Sequence, residues 1–208
     1  MASQVADMSA RTANRASIIA AATRLFARNG YAASMEHIAA EARVAKQTVY
    51  NHFASKEALL TAIVDTLVDR LGGALPEPDS GIDDPHATLL DYARRLVAIL
   101  VQPEALGLHR VLIAGAPHHP ELARIAYQTG VVQSTQRLAR YLRGQTARGA
   151  LAVPDPDLAA EQLLGALRGN IQLRALLLRD GGQDHAALER YAGAVIDAFL
   201  RAHRPTES

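Results

Sequence analysis

The sequence predicts an all-helical protein with about nine helices, in which a small three-helix head precedes a larger helical body. Apolar residues recur at the three- and four-residue spacing of amphipathic helices, and no long run alternates as a strand would. Hydrophobic residues make up 49% of the 208 positions but aromatic residues only 4%, so the core must use mainly Leu, Ala, Ile and Val. Ala and Leu favour helices most strongly among these.

Four helices are predicted in the first third of the chain. Asn29-Gly30 ends the first helix, because glycine accepts the left-handed conformation that often follows a helix. Ser34 and Ser55 precede the second and fourth helices and are preferred N-cap residues. These helices are predicted to span about residues 14–29, 35–42, 46–52 and 56–71.

Five further helices are predicted after a linker. Residues 72–81 are rich in Gly and Pro and read as that linker. Pro and Gly also separate the later helices from one another. The five helices are predicted at 86–101, 104–115, 119–148, 155–179 and 185–203.

Composition excludes several classes of protein. There is no Cys, which excludes disulfides, thiolate zinc sites and a cysteine nucleophile. No apolar run approaches the length of a membrane span, and the first fifteen residues lack the shape of a signal peptide. No phosphate-binding, dinucleotide-binding or hydrolase motif is present. We therefore expect a cytoplasmic protein that is not an enzyme, does not bind a membrane and needs no cofactor.

Residues 34–53 have the spacing of a helix-turn-helix: two short helices joined by a three-residue turn. Gln47, Thr48 and Asn51 fall on one face of the second helix and are residue types that hydrogen-bond to base edges. Tyr50, His52 and Lys56 flank that face and can reach phosphates. The predicted DNA-binding residues are Ser34, Arg43, Lys46, Gln47, Thr48, Tyr50, Asn51, His52 and Lys56.

Charge is distributed unevenly along the chain. Residues 1–56 hold seven basic and three acidic side chains, whereas residues 57–208 hold 15 basic and 18 acidic ones. A basic head on a mildly acidic body suits a polyanion-binding module joined to another domain. Chance variation explains the charge asymmetry about equally well.

The head resembles the DNA-binding domain of TetR-type regulators. The resemblance runs through about forty-five residues in register, including Leu25-Phe26-Ala27-Arg28-Asn29-Gly30-Tyr31, Thr48-Val49-Tyr50-Asn51-His52-Phe53 and Ser55-Lys56-Glu57-Ala58-Leu59. It implies an all-helical homodimer whose grip on operator DNA changes when a small ligand binds. By position, it also implies that Gln47 and Thr48 face bases, and that Tyr50, His52 and Lys56 face phosphates.

Two positions in the turn depart from the family pattern. Arg43 stands where Gly is usual, and Ala45 stands where a capping Ser or Thr is usual. Loss of a capping hydroxyl costs about 1 kcal/mol of helix stability. Arg43 either adds a phosphate contact or is simply solvated. The departures affect how the second helix of the helix-turn-helix, the recognition helix at about 46–52, docks on DNA.

The C-terminal part is similar to one subclass of these regulators, the AefR-like proteins. The similarity runs through Gly107-Leu108-His109-Arg110-Val111-Leu112-Ile113-Ala114 and Glu161-Gln162-Leu163-Leu164-Gly165-Ala166-Leu167-Arg168-Gly169. That subclass commonly has Glu where Gly115 stands, so only the architecture is carried over.

Polar side chains scattered among the body helices are candidates for a ligand pocket. They are Tyr92, His109, Arg110, Tyr127, Asn170 and Arg174. The last two helices are expected to form a dimer bundle, with small glycines allowing close packing. Its predicted residues are Leu163, Gly165, Leu167, Gly169, Leu177, Leu188, Val195 and Phe199. His118-His119 is read as a solvated helix start rather than a metal site, because adjacent helical residues point in different directions.

The sequence therefore predicts a DNA-binding domain over 1–56, a connecting helix over 56–72 and a ligand-binding, dimerising domain over 57–208. The predicted function is a transcriptional repressor that binds a palindromic operator as a homodimer and is released by a small hydrophobic molecule. The alternatives are a helical ligand-binding dimer that does not bind DNA and, more remotely, an all-helical enzyme.

Overall fold

The protein is described by a computed structural model over residues 2–76, 84–178 and 184–205, and every regular element in these ranges is a helix. A short 3₁₀ turn, Gly30–Ala32, links the first two helices, and a π-helical segment, Tyr127–Val132, joins α7 to α8. The helices are α1 (Ala2–Asn29), α2 (Met35–Ala42), α3 (Lys46–His52), α4 (Lys56–Gly72), α5 (Pro85–Leu100), α6 (Pro103–Gly115), α7 (Pro120–Ala126), α8 (Gln133–Ala147), α9 (Pro156–Leu177) and α10 (His185–Ala202).

The predicted all-helical class is confirmed. Because α7, the π-helical segment and α8 run on without a break, the described residues hold nine helical stretches, as expected. The main difference lies in α1, which begins at Ala2 rather than near residue 14. No Gly or Pro interrupts residues 2–29, so nothing stops the helix from extending toward the N-terminus. Parts of the predicted linker and separators, 77–81 and 180–182, lie outside the described residues.

Aspartates cap three helices of the body, and proline follows the aspartate in two of them. Asp84 and Asp155 each accept a hydrogen bond from a backbone N–H in the first turn of α5 and α9, and proline occupies the next position in both helices. Asp184 caps α10 in the same way. Proline suits this first position because its fixed φ is helical and its missing N–H would have had no partner there.

The chain divides into two compact units that cut across the sequence order. The first unit holds the residues up to Thr66 together with Pro103–Ala126. Within it, α1 packs against α2, α3 and α6. Its fully buried side chains include Ile18, Phe26, Ile38, Val49, Leu59 and Leu60. The predicted boundary at residue 56 concerns function and stays a prediction, whereas the packing units divide the chain elsewhere.

The second unit holds Leu67–Gln102 and the residues from Tyr127 onward. Here α5 packs against α9 and α10, and α8 packs against α9. The helices enclose one largely apolar core, and the unit also buries the Tyr92 hydroxyl and the Gln145 side-chain oxygen without hydrogen-bond partners. The core includes Leu89, Tyr92, Leu96, Leu138, Leu142, Leu163 and Leu167.

Candidate nucleic-acid interface

The helix α2 is fixed by its cap and by one apolar face. The Ser34 hydroxyl accepts a hydrogen bond from the backbone N–H of His37 at 3.2 Å. Met35, Ile38, Ala39 and Ala42 are buried, while Glu36 and His37 face outward. Four buried positions in an eight-residue helix leave little freedom for α2 to rotate. Ser34 therefore acts first as an N-cap, and its predicted contact with DNA stays a prediction.

The turn between α2 and α3 is built on a left-handed residue. Arg43 has φ 56° and ψ 41°, and Val44 donates its backbone N–H to the carbonyl of Ala39 at 3.0 Å. This hydrogen bonding ends α2 in the usual way, but at a position where glycine avoids a penalty of about 1–2 kcal/mol. Ala45, the N-cap of α3, offers no side-chain hydrogen bond. Both departures from the family pattern therefore have a structural consequence.

The helix α3 presents nearly all of its polar side chains outward. Val49 is its one buried residue and anchors the helix to the core. Gln47 donates a hydrogen bond to the Asn51 carboxamide oxygen at 3.1 Å, which orients both amides. The remaining predicted contact residues of α3 are exposed (Lys46, Tyr50) or half-buried (Thr48, His52).

Acidic side chains of α2 form ion pairs with basic side chains of α1 and α3. The Lys46 ammonium forms an ion pair with Glu36 and donates a hydrogen bond to its carboxylate. This hydrogen bond is the main reason that the pKa of Glu36 is lowered to about 2. Glu41 similarly bridges Arg24 and Arg28, with 3.1 Å between the paired atoms in each case. Such exposed pairs are weak. Lys46 can therefore exchange Glu36 for a phosphate.

Lys56 has partners within the protein. Its ammonium donates hydrogen bonds to the carbonyls of Tyr31 at 2.7 Å and Ala33 at 3.0 Å. It also lies 4.4 Å from the centre of the Tyr31 ring. The Tyr31 hydroxyl in turn donates to Glu57 at 2.7 Å. Lys56 therefore positions the segment before α2, and its predicted phosphate contact would have to be made in addition to this role.

Comparison with known proteins agrees with this geometry. The family model described as bacterial regulatory proteins of the tetR family matches residues 18–63. The model described as the C-terminal domain of AefR-like transcriptional repressors matches residues 87–205, more than half of the chain. The chain belongs to the TetR family. It is a transcriptional regulator with an N-terminal DNA-binding domain, and the predicted resemblance is confirmed.

Individual regulators are similar to this chain along most of its length. A TetR-family transcriptional regulator from Mesorhizobium loti has 34% sequence identity and a TM-score of 0.78, with coverage of 93% of this chain and 98% of the other. The Flavonoid-responsive Regulator FrrA has 31% identity and a TM-score of 0.67, with the same coverage. The transcriptional repressor SCO4008 of Streptomyces coelicolor is 30% identical over 70% of this chain and 72% of its own length.

The predicted ligand residues of this TetR-family chain do not gather in either unit. His109 and Arg110 belong to the first unit, whereas Tyr92, Tyr127, Asn170 and Arg174 belong to the second. Of the latter four, Tyr92 is buried and the other three are exposed. The sequence pattern did not reveal this division, because α6 packs with the first unit although it follows α5, which belongs to the second.

Sequence reasoning missed Arg168. This residue is largely buried in the second unit, where desolvation lowers its pKa and where it interacts electrostatically with Tyr92 and Tyr127. A sequence signal was available. Arg168 lies four residues after Leu164 and three before Ile171, both of which are buried, so it occupies the apolar face of α9.

Four of the predicted dimer residues are buried within a single chain. Leu163, Leu167, Leu188 and Phe199 belong to the core of their own chain, so little of their side chains is left to contact a partner, and their role in dimerisation stays a prediction. Val195 is partly buried against the same core. The remaining three, Gly165, Gly169 and Leu177, are exposed on α9, so their predicted role stays open.

An apolar cleft of about 300 Å³, counted with the space open to solvent, lies in the first unit. His119, which the sequence suggested as a solvated helix start, packs there against the Tyr31 ring with 5.4 Å between centroids. Within the described ranges, no three His, Cys, Asp or Glu side chains come together as metal ligands. The cleft is lined by Phe26, Tyr31, Leu60, Leu108, Val111, Leu112, Gly115, His119 and Leu122.

Among the described helices, none is by itself long and apolar enough to cross a membrane. The bent pair formed by α5 and α6 meets that test of length and composition when the two helices are taken together.

Proposed function

We propose that this TetR-family regulator is a repressor that binds a near-palindromic operator as a homodimer and is released by a small molecule. The observation that carries the proposal is the division of α3 into one buried anchor, Val49, and an outward polar face. A recognition helix needs this division, because it must be fixed to its own core while its side chains enter the major groove.

The outward face supplies two kinds of contact. Gln47, Thr48 and Asn51 are suited to base edges, and the hydrogen bond between Gln47 and Asn51 holds two of these side chains in place. Arg43 and Lys46 lie at the start of the face and carry exposed charges suited to phosphates. Ser34, Tyr50, His52 and Lys56 complete the proposed phosphate contacts.

Ligand control is proposed from the size and composition of the rest of the chain. The second unit has a large apolar core with no catalytic motif, and the similar protein FrrA is named as flavonoid-responsive. The helix α4 runs from the first unit into the second, with the division after Thr66, so it links both units covalently. A coupling of about 1.4 kcal/mol between ligand and DNA changes operator affinity tenfold.

The test of DNA binding is selection from a random duplex pool by the full chain. We expect a dyad-symmetric site with half-sites about one helical turn apart, and an affinity that falls steeply with salt. Gln47→Ala should relax the preference at one base pair per half-site, at about 1–3 kcal/mol. Gln136→Ala, an equivalent change at an exposed position of α8, is the matched control and should leave the selected sequence unchanged.

A second candidate function, a ligand-binding dimer that does not bind DNA, is favoured by one observation. The turn combines the left-handed Arg43 with the uncapped Ala45, and each of these weakens the recognition element. If the selection returns no symmetric site, and Gln47→Ala selects DNA no differently from Gln136→Ala, this second candidate would replace the repressor.

A further inference from the structure

The second unit buries a hydrogen-bond donor without an acceptor. The Tyr92 side chain is 1% exposed, and its hydroxyl has no hydrogen-bond partner. A buried polar group in this state is destabilising, and such exceptions call for an explanation. Burial also raises the pKa of Tyr92 to about 12, so the hydroxyl is protonated and able to donate.

A cation without a counter-ion interacts electrostatically with Tyr92. Arg168 interacts electrostatically with Tyr92, and among the described residues no carboxylate or hydrogen-bond acceptor lies within bonding distance of its guanidinium. Arg137 also acts on Tyr92, but its own charge is balanced by Asp69 at 2.9 Å. The cluster of Tyr92, Arg137 and Arg168 therefore carries one unbalanced positive charge.

The backbone is irregular on two sides of this cluster. Gly169, the residue after Arg168, breaks the helical path of α9 with φ 28° and ψ −139°. The Tyr191 hydroxyl donates to the carbonyl of Ala166 beside this kink. Tyr127 also interacts electrostatically with Arg168. It is exposed and is the first residue of the π-helical segment. π-Helical insertions are frequent at functional sites.

We propose that Arg168 and Tyr92 bind the carboxylate of a small, otherwise apolar molecule in the second unit. The proposal rests on the ligand response proposed above and adds the chemical class of the ligand. A carboxylate can accept from the guanidinium and from the Tyr92 hydroxyl at once, which satisfies both groups. One unbalanced positive charge calls for one negative charge, so a monoanion fits better than a phosphate ester.

The rest of the ligand must be apolar, because the surroundings are. Tyr92 belongs to a buried cluster whose members on α5, α8 and α9 are apolar apart from Tyr92 and Tyr141. Leu89 and Leu96 lie one turn before and after Tyr92 on α5. The exposed Tyr127 marks the side on which Arg168 approaches solvent, and we assign the entry of the ligand to that side.

The test uses benzoate, 2-naphthoate and decanoate as probes, each paired with its primary amide. The full chain is titrated by calorimetry and by thermal shift. We expect at least one acid to bind about tenfold or more tightly than its amide, because hydrogen bonds to a charged group are the stronger ones. Arg168→Met and Tyr92→Phe should each lose about tenfold or more of that affinity. Arg140→Met, at an exposed arginine of α8, should keep it.

Three results of the binding titrations would overturn the assignment: amides that bind as well as acids, an Arg168→Met variant with unchanged affinity for the acids, or no acid that binds at all. Operator titration keeps the two proposals apart. Amides that bind and release operator would support ligand control and refute the anion site. Acids that bind through Arg168 without changing operator affinity would support the site and refute ligand control.

A ligand-free measurement separates a binding role from a structural one. An unpaired, largely buried charge destabilises the protein that holds it. We therefore expect Arg168→Met to melt at the same temperature as the wild type or higher, since Met keeps the length and removes the charge. A melting temperature lowered by several degrees would show that Arg168 stabilises the fold and would overturn its assignment as a ligand residue.

Discussion

A Cβ atom added to Gly107 would lie 2.4 Å from the Cβ of Ala27 and 2.8 Å from its Cα. These distances are shorter than real side chains tolerate, so α6 crosses α1 with direct contact between the two backbones. Ala27 has no side-chain torsion by which it could move aside. Glycine at 107 is thus required by packing, and not by backbone conformation, within the first unit.

Gly107→Ala should therefore destabilise the first unit by about 1–3 kcal/mol, although alanine is the better helix former. Denaturant unfolding of the full chain measures this loss. The matched control is Gly193→Ala in α10, where an added Cβ meets nothing within 4 Å. That variant should be unchanged or stabilised by up to about 1 kcal/mol. In a double-mutant cycle, Ala27→Gly should recover part of the Gly107→Ala loss; additive effects would refute the contact.

Arg43→Gly should affect the free energy of unfolding and the operator affinity in different ways. Glycine accepts the left-handed conformation at this position without penalty, so the free energy of unfolding should stay constant or rise by up to about 1 kcal/mol. If Arg43 contacts a phosphate, operator affinity should fall for all sequences, and the salt dependence should lose about one counter-ion. A variant with unchanged affinity and salt dependence would show that Arg43 is merely solvated.

The head could be predicted in detail because its signals are local. Ser34 caps α2, Asn29-Gly30 ends α1, and Val49 marks the buried side of α3; each of these follows from a few neighbouring residues. The conformation of Arg43 was foreseeable for the same reason. It stands where the family uses glycine, and the turn needs a positive φ whatever the residue.

The body could be predicted only as a set of helices. Helical periodicity marks Leu163 and Leu167 as apolar-face residues, but it cannot say whether they face their own core or a partner. The meeting of Tyr92 with Arg168 depends on how α5 packs against α9, and no local signal contains that information. The placement of α6 with the head is likewise set by the Gly107–Ala27 crossing.

The ion pair between Glu36 and Lys46 predicts a pH dependence. The pKa of Glu36 is lowered from 4.5 to about 2, so its ionised form is favoured in the folded state. The stabilisation is therefore present above about pH 4.5 and is lost as the pH falls toward 2. Glu36→Gln should be less stable than the wild type near neutral pH, and the difference should shrink on acidification.

Thermal melts between neutral pH and about pH 3 measure this difference. Glu104→Gln is the matched control, since Glu104 also lies in the first turn of a helix of the first unit and forms no ion pair with a described residue. Its difference from the wild type should vary less with pH. A constant gap between Glu36→Gln and the wild type would show that the ion pair does not stabilise the fold.

Exposed leucines on α9 predict where a second copy binds. Leu158, Leu173 and Leu177 are exposed to 50%, 52% and 71%, and Gly165, also exposed, lies between them in sequence; together these four exposed positions define the face of α9 proposed to meet a partner. Burying a leucine is worth about 1.5–3 kcal/mol, so a dimer that covers this face gains several such contributions. Leu177→Glu should raise the dimer dissociation constant by about tenfold or more, because it also buries a charge.

Sedimentation across a range of concentrations tests this prediction, with Ile113→Glu as the control. Ile113 is 65% exposed and lies in the first unit, so the same kind of substitution there should leave the dimer intact. Gly165→Leu adds a second test, since an added Cβ atom meets nothing within 4 Å in its own chain. Weakening of the dimer by this variant would point to a contact with the partner. If Leu177→Glu and Gly165→Leu both sediment as wild-type dimers, the interface does not lie on this face of α9.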